Sequence, residues 1–236
     1  MRDALPPIAY QEQQGMTTVH RVEVKCGNCG HASEQIVVMS TNAFGAPDLD
    51  TRPPEMARST LPFYVQCCPS CGYCARDLYD TLASGVEDVL HSSEYEDLLK
   101  LCDLPLLARE FLCLSLIYAH MSKFNGAGWA CLRSAWVCDD HQDVEGAVGS
   151  RLRALAFFDR AAEEGLRYMT NALEEDVLRI DLLRRAEQFD AALELCQRVQ
   201  ESAPAGLIGE IVAFQRHLIT QRDTAAHTIE EARGRP

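Results

Sequence analysis

The chain has 236 residues, 47% of them hydrophobic, which is enough apolar material for one large folded domain or two ordinary ones. Its 22 basic and 35 acidic side chains leave a net charge of −13, and such a balance repels the phosphates of nucleic acids and anionic lipids. The longest apolar run, residues 111–121, is shorter than the roughly 20 residues that span a bilayer. The opening residues also lack the apolar core of a secretory signal. We therefore expect a cytoplasmic protein that binds neither nucleic acid nor membrane.

The N-terminal third has the pattern of a small β domain. Residues 1–18 are polar and are expected to form a flexible lead-in. Hydrophobic residues then recur with a period of two, which predicts three strands, at 21–25, 34–39 and 61–66. Pro62 places the third strand at an edge, or marks its start.

From about residue 86 the hydrophobic period becomes helical. The segment 125–128, Asn-Gly-Ala-Gly, is expected to break the chain between two helices. The predicted helices run from Pro105 to about Lys123, through Trp129, Leu132 and Trp136, and then over about 145–166, 174–187, 190–202 and 206–222. We assign the helical domain to residues 81–225 and a frayed tail to 226–236. This half carries a net charge of −10, against −3 for residues 1–80.

Residues 173–206 weakly resemble one tetratricopeptide repeat, a helix pair in which Ala192 lets the helices approach and Pro204 closes the unit. A generic antiparallel helix pair explains the same pattern. Either way, the predicted fold is α+β and mostly α: a small N-terminal β zinc ribbon over residues 19–80, packed on an antiparallel helical array.

Two copies of the string C-x-x-C-G occur in the β domain, at 26–30 and 68–72. This is the form of a zinc knuckle, in which the glycine takes the positive φ that closes the turn. Two knuckles supply the four thiolates of a structural zinc site. We therefore predict that one structural zinc ion is bound by Cys26, Cys29, Cys68 and Cys71, so that its binding energy becomes folding energy.

Two further cysteines, Cys67 and Cys74, could replace a member of the second knuckle as metal ligands. Cys67 lies four residues before Cys71, a spacing that does not make this knuckle, and no glycine follows Cys74. In an extended segment Cys67 also points away from its neighbour Cys68. His31 directly follows the first knuckle and could replace a thiolate, but a surface position is expected. In a cytoplasmic protein the remaining cysteines, Cys102, Cys113, Cys131, Cys138 and Cys196, are expected to be core thiols.

The two knuckles, the segment 40–60 between them, the string CPSCGY (68–73) and the later string LRSAWVCDD (132–140) together resemble an uncharacterised bacterial family, domain of unknown function 2225. The resemblance is specific in its first 60 residues and diffuse afterwards. It implies an N-terminal zinc-ribbon-like segment with zinc on the four knuckle cysteines, followed by tetratricopeptide-like helices. It implies no activity.

The segment 40–60, which we call the interknuckle loop, is the most unusual stretch of the chain. It is long, rich in proline and crowded with charge, and long ordered loops often carry function. Its candidate binding residues are Asp48, Asp50, Arg52, Glu55 and Arg58. Alternatively, the loop docks on the helical half, with Arg52 or Arg58 meeting the acidic surface.

A second cluster of carboxylates offers a possible cation site, with a simpler alternative. Asp139, Asp140, His141 and Asp143 could hold a divalent cation, or could merely cap a helix end.

The function predicted from these features is a non-enzymatic zinc-binding adaptor that binds a protein partner through the helices or the interknuckle loop. A nucleic-acid-associated ribbon is the first alternative, disfavoured because residues 19–80 hold only five Lys or Arg. The second is a thiol-redox or metal-dependent enzyme in which Cys67 or Cys74 is reactive. The common hydrolase and nucleotide-binding strings do not occur in the sequence.

Overall fold

The computed structural model describes residues 17–79, 82–202 and 206–233. Within these ranges the fold is α+β and mostly helical, in agreement with the sequence. The strands are β1 (Thr17–Lys25), β2 (Ala32–Thr41), β3 (Gln66–Cys67) and β4 (Cys74–Ala75). The helices are α1 (Val86–Leu90), α2 (Ser93–Lys100), α3 (Leu106–His120), α4 (Phe124–Asp140), α5 (Val144–Glu163), α6 (Ala172–Arg185), α7 (Phe189–Glu201), α8 (Leu207–Thr220) and α9 (Ile229–Arg233). Most of the predicted lead-in, residues 1–16, lies outside the described ranges. None of the helices described is long and apolar enough to cross a bilayer.

The first two predicted strands are confirmed, and the third is wrong. β1 and β2 form an antiparallel hairpin whose turn holds the first knuckle. The predicted third strand is instead a 3₁₀ helix, Ala57–Tyr64, followed by the two-residue β3. Pro62 lies inside this helix, where its fixed φ suits a helical turn and its missing N–H could not serve a sheet. The Thr60 hydroxyl donates to the Ala57 carbonyl at 2.7 Å and closes the turn locally.

The predicted helices after residue 105 are confirmed to within a few residues, but the predicted break at 125–128 is wrong. These four residues begin α4 rather than interrupt the chain. The break comes one turn earlier, where Ser122 takes a φ of +55°. Gly128 is needed for packing, because a Cβ at this position would collide with the Phe158 ring of α5. The glycine therefore permits close approach of two helices.

The β segment and helices α1 to α6 share one hydrophobic core. The cluster runs without a gap from Cys26 and Cys68 at the knuckles, through Leu78, to Phe111 and Phe158 in the helices. A second cluster lies among α6 to α9. It includes Leu49, which the interknuckle loop contributes from far away in the sequence. The loop therefore contacts the helical half through buried apolar surface.

The C-terminal tail is not frayed over its described residues, contrary to the prediction for 226–236. The Leu49 N–H donates to the His227 carbonyl at 2.8 Å, and the Ile229 N–H donates to the Pro47 carbonyl at 2.9 Å. Ala232 is buried. The tail is held because it supplies hydrogen-bond partners to two backbone groups of the interknuckle loop, and backbone groups require such partners when buried. Residues 234–236 lie outside the described ranges.

Asp50 anchors the interknuckle loop on the helices. Its side chain is 0% exposed. One carboxylate oxygen accepts hydrogen bonds from the Trp136 indole N–H and from the Arg185 guanidinium, both at 2.8 Å. Arg151 lies 4.0 Å away. Burial alone would raise the pKa of Asp50, but the charges of Arg185 and Arg151 hold it below its ordinary value.

A second carboxylate completes this buried charge network. Asp139 accepts hydrogen bonds from Arg151 at 2.5 and 3.1 Å and from Arg185 at 2.8 Å. Two carboxylates from the loop and α4 therefore neutralise two guanidinium groups from α5 and α6. Removing one partner of such a set leaves a buried charge uncompensated.

Replacing Asp50 by Asn should lower the free energy of unfolding by about 3–5 kcal/mol, because it leaves two buried guanidinium groups with one carboxylate. Urea denaturation followed by circular dichroism measures this change. Asp159→Asn is the matched control, since Asp159 also pairs with an arginine, Arg179, but is largely exposed. The control should cost at most about 1 kcal/mol. Equal effects of the two substitutions would contradict the anchoring role.

Candidate metal centre

The structure brings the four predicted knuckle cysteines together. The Sγ atoms of Cys26 and Cys71 are 3.8 Å apart, and those of Cys29 and Cys68 are 3.6 Å apart. All four sulfur atoms lie within 4.8 Å of one another. A tetrahedral ion with metal–sulfur bonds of about 2.3 Å requires sulfur–sulfur distances of roughly 3.8 Å. The site therefore has the size and the ligand number of a tetrahedral tetrathiolate centre.

The first knuckle is a tight turn at the end of the β1–β2 hairpin. The Cys26 N–H donates to the His31 carbonyl at 2.9 Å, and the Gly30 N–H donates back to the Cys26 carbonyl at 2.8 Å. Gly30 has a φ of +71°, which side chains rarely adopt. His31 is exposed and supports the knuckle through its backbone.

The second knuckle repeats this geometry between β3 and β4. The Cys68 N–H donates to the Tyr73 carbonyl at 2.8 Å, the Gly72 N–H donates to the Cys68 carbonyl at 2.9 Å, and Gly72 has a φ of +75°. Helix α2 adds a contact that the first knuckle lacks. The buried Tyr95 hydroxyl donates to the Gly72 carbonyl at 2.9 Å and accepts from the Cys74 N–H at 3.1 Å. The second knuckle is therefore tied directly to the helical half.

Three of the thiols, those of Cys26, Cys29 and Cys68, differ in acidity before a metal binds. A hydrogen bond to the backbone of His31 lowers the pKa of the exposed Cys29 thiol to about 7. Burial raises the pKa of Cys26, and it raises that of Cys68 to about 12. Of these three, Cys29 therefore forms its thiolate most readily, and a bound cation would then favour ionisation of the others.

The competing cysteines occupy different positions. Cys67 and Cys74 face each other across the β3–β4 pair. Cys74 is fully buried beside Cys113 of α3, and hydrogen bonding to Cys113 and Cys67, together with burial, raises its pKa well above the ordinary value. A thiol held in its neutral form is a poor nucleophile.

The expected core thiols of the helical half are buried, with one exception. Cys113, Cys131, Cys138 and Cys196 are all 0% exposed. Cys102 is exposed, so the prediction is wrong for this residue. It follows the end of α2, in the connection to α3, where no helix face covers it.

The Asp-rich segment at the end of α4 acts in ion pairs and as a helix cap. Asp139 binds the two buried arginines, and Asp140 pairs with Arg52 at 2.5 Å. Asp143 accepts the Gly146 N–H at 2.9 Å as the N-cap of α5. The capping prediction is therefore confirmed for Asp143.

The candidate residues of the interknuckle loop are engaged within the molecule. Asp50 is buried in the charge network, and Arg52 makes the predicted ion pair to the helical half through Asp140. Asp48 pairs with Arg58 at 2.7 Å, and Glu55 accepts a hydrogen bond from Ser59 at 2.8 Å.

Sequence reasoning missed Arg151 and Arg185, which receive the loop. A signal for Arg151 was present. Arg151 lies in helical register with the buried Ala147, Ala154 and Phe158 of α5, so it belongs to the apolar stripe of its helix. An arginine in such a stripe requires a buried carboxylate partner. Tyr95 gave no comparable signal.

Comparison with protein-family models, curated proteins and solved structures finds no match for this chain. The resemblance to domain of unknown function 2225 stays a prediction.

The purified protein should hold about one metal ion per chain, bound by four thiolates. Serine at Cys68 or Cys71 should release the ion, because it removes a ligand. Elemental analysis of the purified variants measures this. Cys67→Ser is the matched control, since it changes the neighbouring thiol and should leave the metal content unchanged. Full metal content in Cys68→Ser would show that the ligand set is different.

Removing the metal with a chelator should lower the melting temperature of the helices by more than about 5 °C, because knuckles and helices share one core. Circular dichroism at the helical band follows the transition. The metal-free Cys68→Ser variant is the control, and the chelator should not change its melting temperature. Helices that melt at the same temperature with and without metal would instead be independent of the knuckles.

Proposed function

We propose that the protein is a non-enzymatic zinc-binding adaptor, in which zinc stabilises the fold and the helical half binds a protein partner. The observation that carries the zinc assignment is the tetrathiolate geometry. Four cysteine thiolates are the usual ligands of structural zinc, and they fill all four tetrahedral positions, leaving none for substrate or water.

The location of the site supports a structural role for the ion. Cys29 and Cys68 flank the interknuckle loop, and the Asp50 network anchors the same loop on the helices. An ion at the base of the loop holds its two ends together. The binding energy of zinc then contributes to the docking of the loop.

The surface available to a partner is on the helices rather than on the loop, because the charged residues of the loop pair within the molecule. Between residues 82 and 105 the chain carries six carboxylates and a single lysine. The exposed members, which we call the acidic surface, are Glu87, Asp88, Glu94, Asp97 and Asp103. A surface of this charge favours a partner with a basic face.

Two observations weigh against the other functions considered. The raised pKa of the buried Cys74 thiol disfavours redox chemistry at that residue. Helices α1 and α2 carry four of the five residues of the acidic surface, and α2 contacts the second knuckle through Tyr95. Their charge would repel a nucleic acid approaching the knuckles.

The test of the adaptor role is capture of partners from the native cell with the metal-loaded full chain, followed by mass spectrometry. A neutralised variant, Glu87→Gln, Asp88→Asn, Glu94→Gln and Asp97→Asn, should lose the specific partner, because the charges that attract a basic face are gone. Raising the salt concentration should weaken capture by the unchanged chain.

The matched control removes the same number of exposed charges from another face, by Glu187→Gln, Asp190→Asn, Glu194→Gln and Glu201→Gln around α7. This control should retain the partner. A partner that binds the unchanged chain, the neutralised variant and this control equally well would show that the acidic surface is not its binding site. Elemental analysis of the captured bait identifies the metal, and an ion other than zinc would overturn the zinc assignment.

A further inference from the structure

A cavity of about 340 Å³ lies between the interknuckle loop and helix α4. Its size falls at the lower end of the range for small-molecule pockets, about 300–1,000 Å³. The residues that give the cavity its character are three arginines and three aromatic residues: Arg52, Arg58, Arg133, Tyr64, Trp129 and Trp136. No carboxylate lines it among the described residues. The cavity is therefore locally positive, although the chain as a whole carries a net charge of −13.

One of the three arginines, Arg133, has no counter-ion within the part of the chain that the structure describes. Arg52 pairs with Asp140, and Arg58 pairs with Asp48. Arg133 is only partly exposed, and it makes no ion pair or hydrogen bond with the residues that the structure describes. Its guanidinium instead lies over the Tyr64 ring, 5.3 Å from the centroid.

Burial of the Arg133 guanidinium makes a bound anion favourable at this position. Burial lowers the pKa of Arg133; Tyr64 and Tyr118 oppose this shift, and the positive charge of Arg76 adds to it. A partly buried cation without a counter-ion is costly. Across the cavity, in the wall that the loop provides, the Nε atom of Arg52 is also buried without a hydrogen-bond partner among the described residues. A bound anion would relieve the desolvated charge of Arg133.

The tryptophans provide flat apolar surface beside this charge. The Trp129 N–H donates to the Tyr168 carbonyl at 3.1 Å, and the Trp136 N–H donates to Asp50 at 2.8 Å. Because both N–H groups are used in these bonds, the indoles are fixed in place and contribute ring surface to the cavity. Preformed aromatic walls with a few placed polar groups are typical of ligand sites.

We propose that this cavity binds a small organic anion, consisting of a planar ring that carries a carboxylate or a phosphate group. The anionic group pairs with Arg133, and the ring packs against Trp129 and Trp136. Guanidinium groups bind both kinds of oxyanion through paired hydrogen bonds. This binding site is separate from the metal centre and does not depend on the proposed adaptor role.

Tryptophan fluorescence of the metal-loaded full chain tests the proposal directly, because the only two tryptophans of the sequence both line the cavity. Benzoate and phenyl phosphate are the two anionic probes, and benzyl alcohol is the uncharged control. A saturable change with either anion, and none with benzyl alcohol at the same concentrations, is expected. Which anion binds more tightly identifies the preferred headgroup. No saturable change with either anion, or equal binding of benzyl alcohol, would overturn the proposal.

Arg133→Gln should weaken binding of the better anion by at least about tenfold, the usual effect of losing a hydrogen bond to a charged group. Arg160→Gln is the matched control, because Arg160 also lies over an aromatic ring, Phe124 at 4.0 Å, but outside the cavity. This control should bind as the unchanged chain does. Thermal melts of both variants verify that they are folded. Undiminished binding by a folded Arg133→Gln would overturn the assignment of the anion to this residue.

Discussion

The buried carboxylate of Asp50 is the interaction on which the arrangement of this protein depends. Arg151 and Arg185 occupy inward positions on two different helices, where two cations without partners would be strongly unfavourable. Asp139 alone supplies one negative charge to this pair. The loop must therefore enter the helical half to bring the second. In this sense the helices require the loop as much as the loop requires the helices.

The metal centre and this network constrain the same loop at different points. Cys29 and Cys68 lie on its two sides, and Asp50 lies between them in sequence. Closing a flexible loop costs entropy, and the cost falls once its ends are fixed. A metal ion bound there would therefore reduce the entropy lost when Asp50 docks, and docking would in turn bring the two knuckles closer. The hydrogen bond from Tyr95 to Gly72 adds a third link between knuckle and helix. Each of these contacts stabilises the others.

The sequence predicted those features that depend on residues close together in the chain, and it did not predict those that depend on contacts between distant residues. The cluster of four cysteines was predictable because C-x-x-C-G is a local pattern, and Gly30 and Gly72 take the positive φ that it requires. The contact of Asp50 with Arg185 spans 135 residues and leaves no local trace of its pairing. The error at Gly128 has the same origin. Gly128 is needed because a side chain there would collide with the Phe158 ring. Local helix propensity contains no information about a ring that lies far away in the sequence.

The proposed anion cavity depends on the same docking, because its walls are shared with the charge network. Trp136 binds Asp50 through its indole N–H and lines the cavity with its ring. Arg52 follows Asp50 by two residues and donates its backbone N–H to the Asp50 carboxylate at 3.1 Å. A shift of the loop would therefore displace one wall of the cavity relative to the other, which α4 provides. A metal ion bound at the knuckles would fix the two ends of that loop, so the candidate metal centre and the proposed anion cavity would act on the same segment without direct contact. Binding at either site would then favour the loop position that the other needs, and linkage would require this effect to be reciprocal.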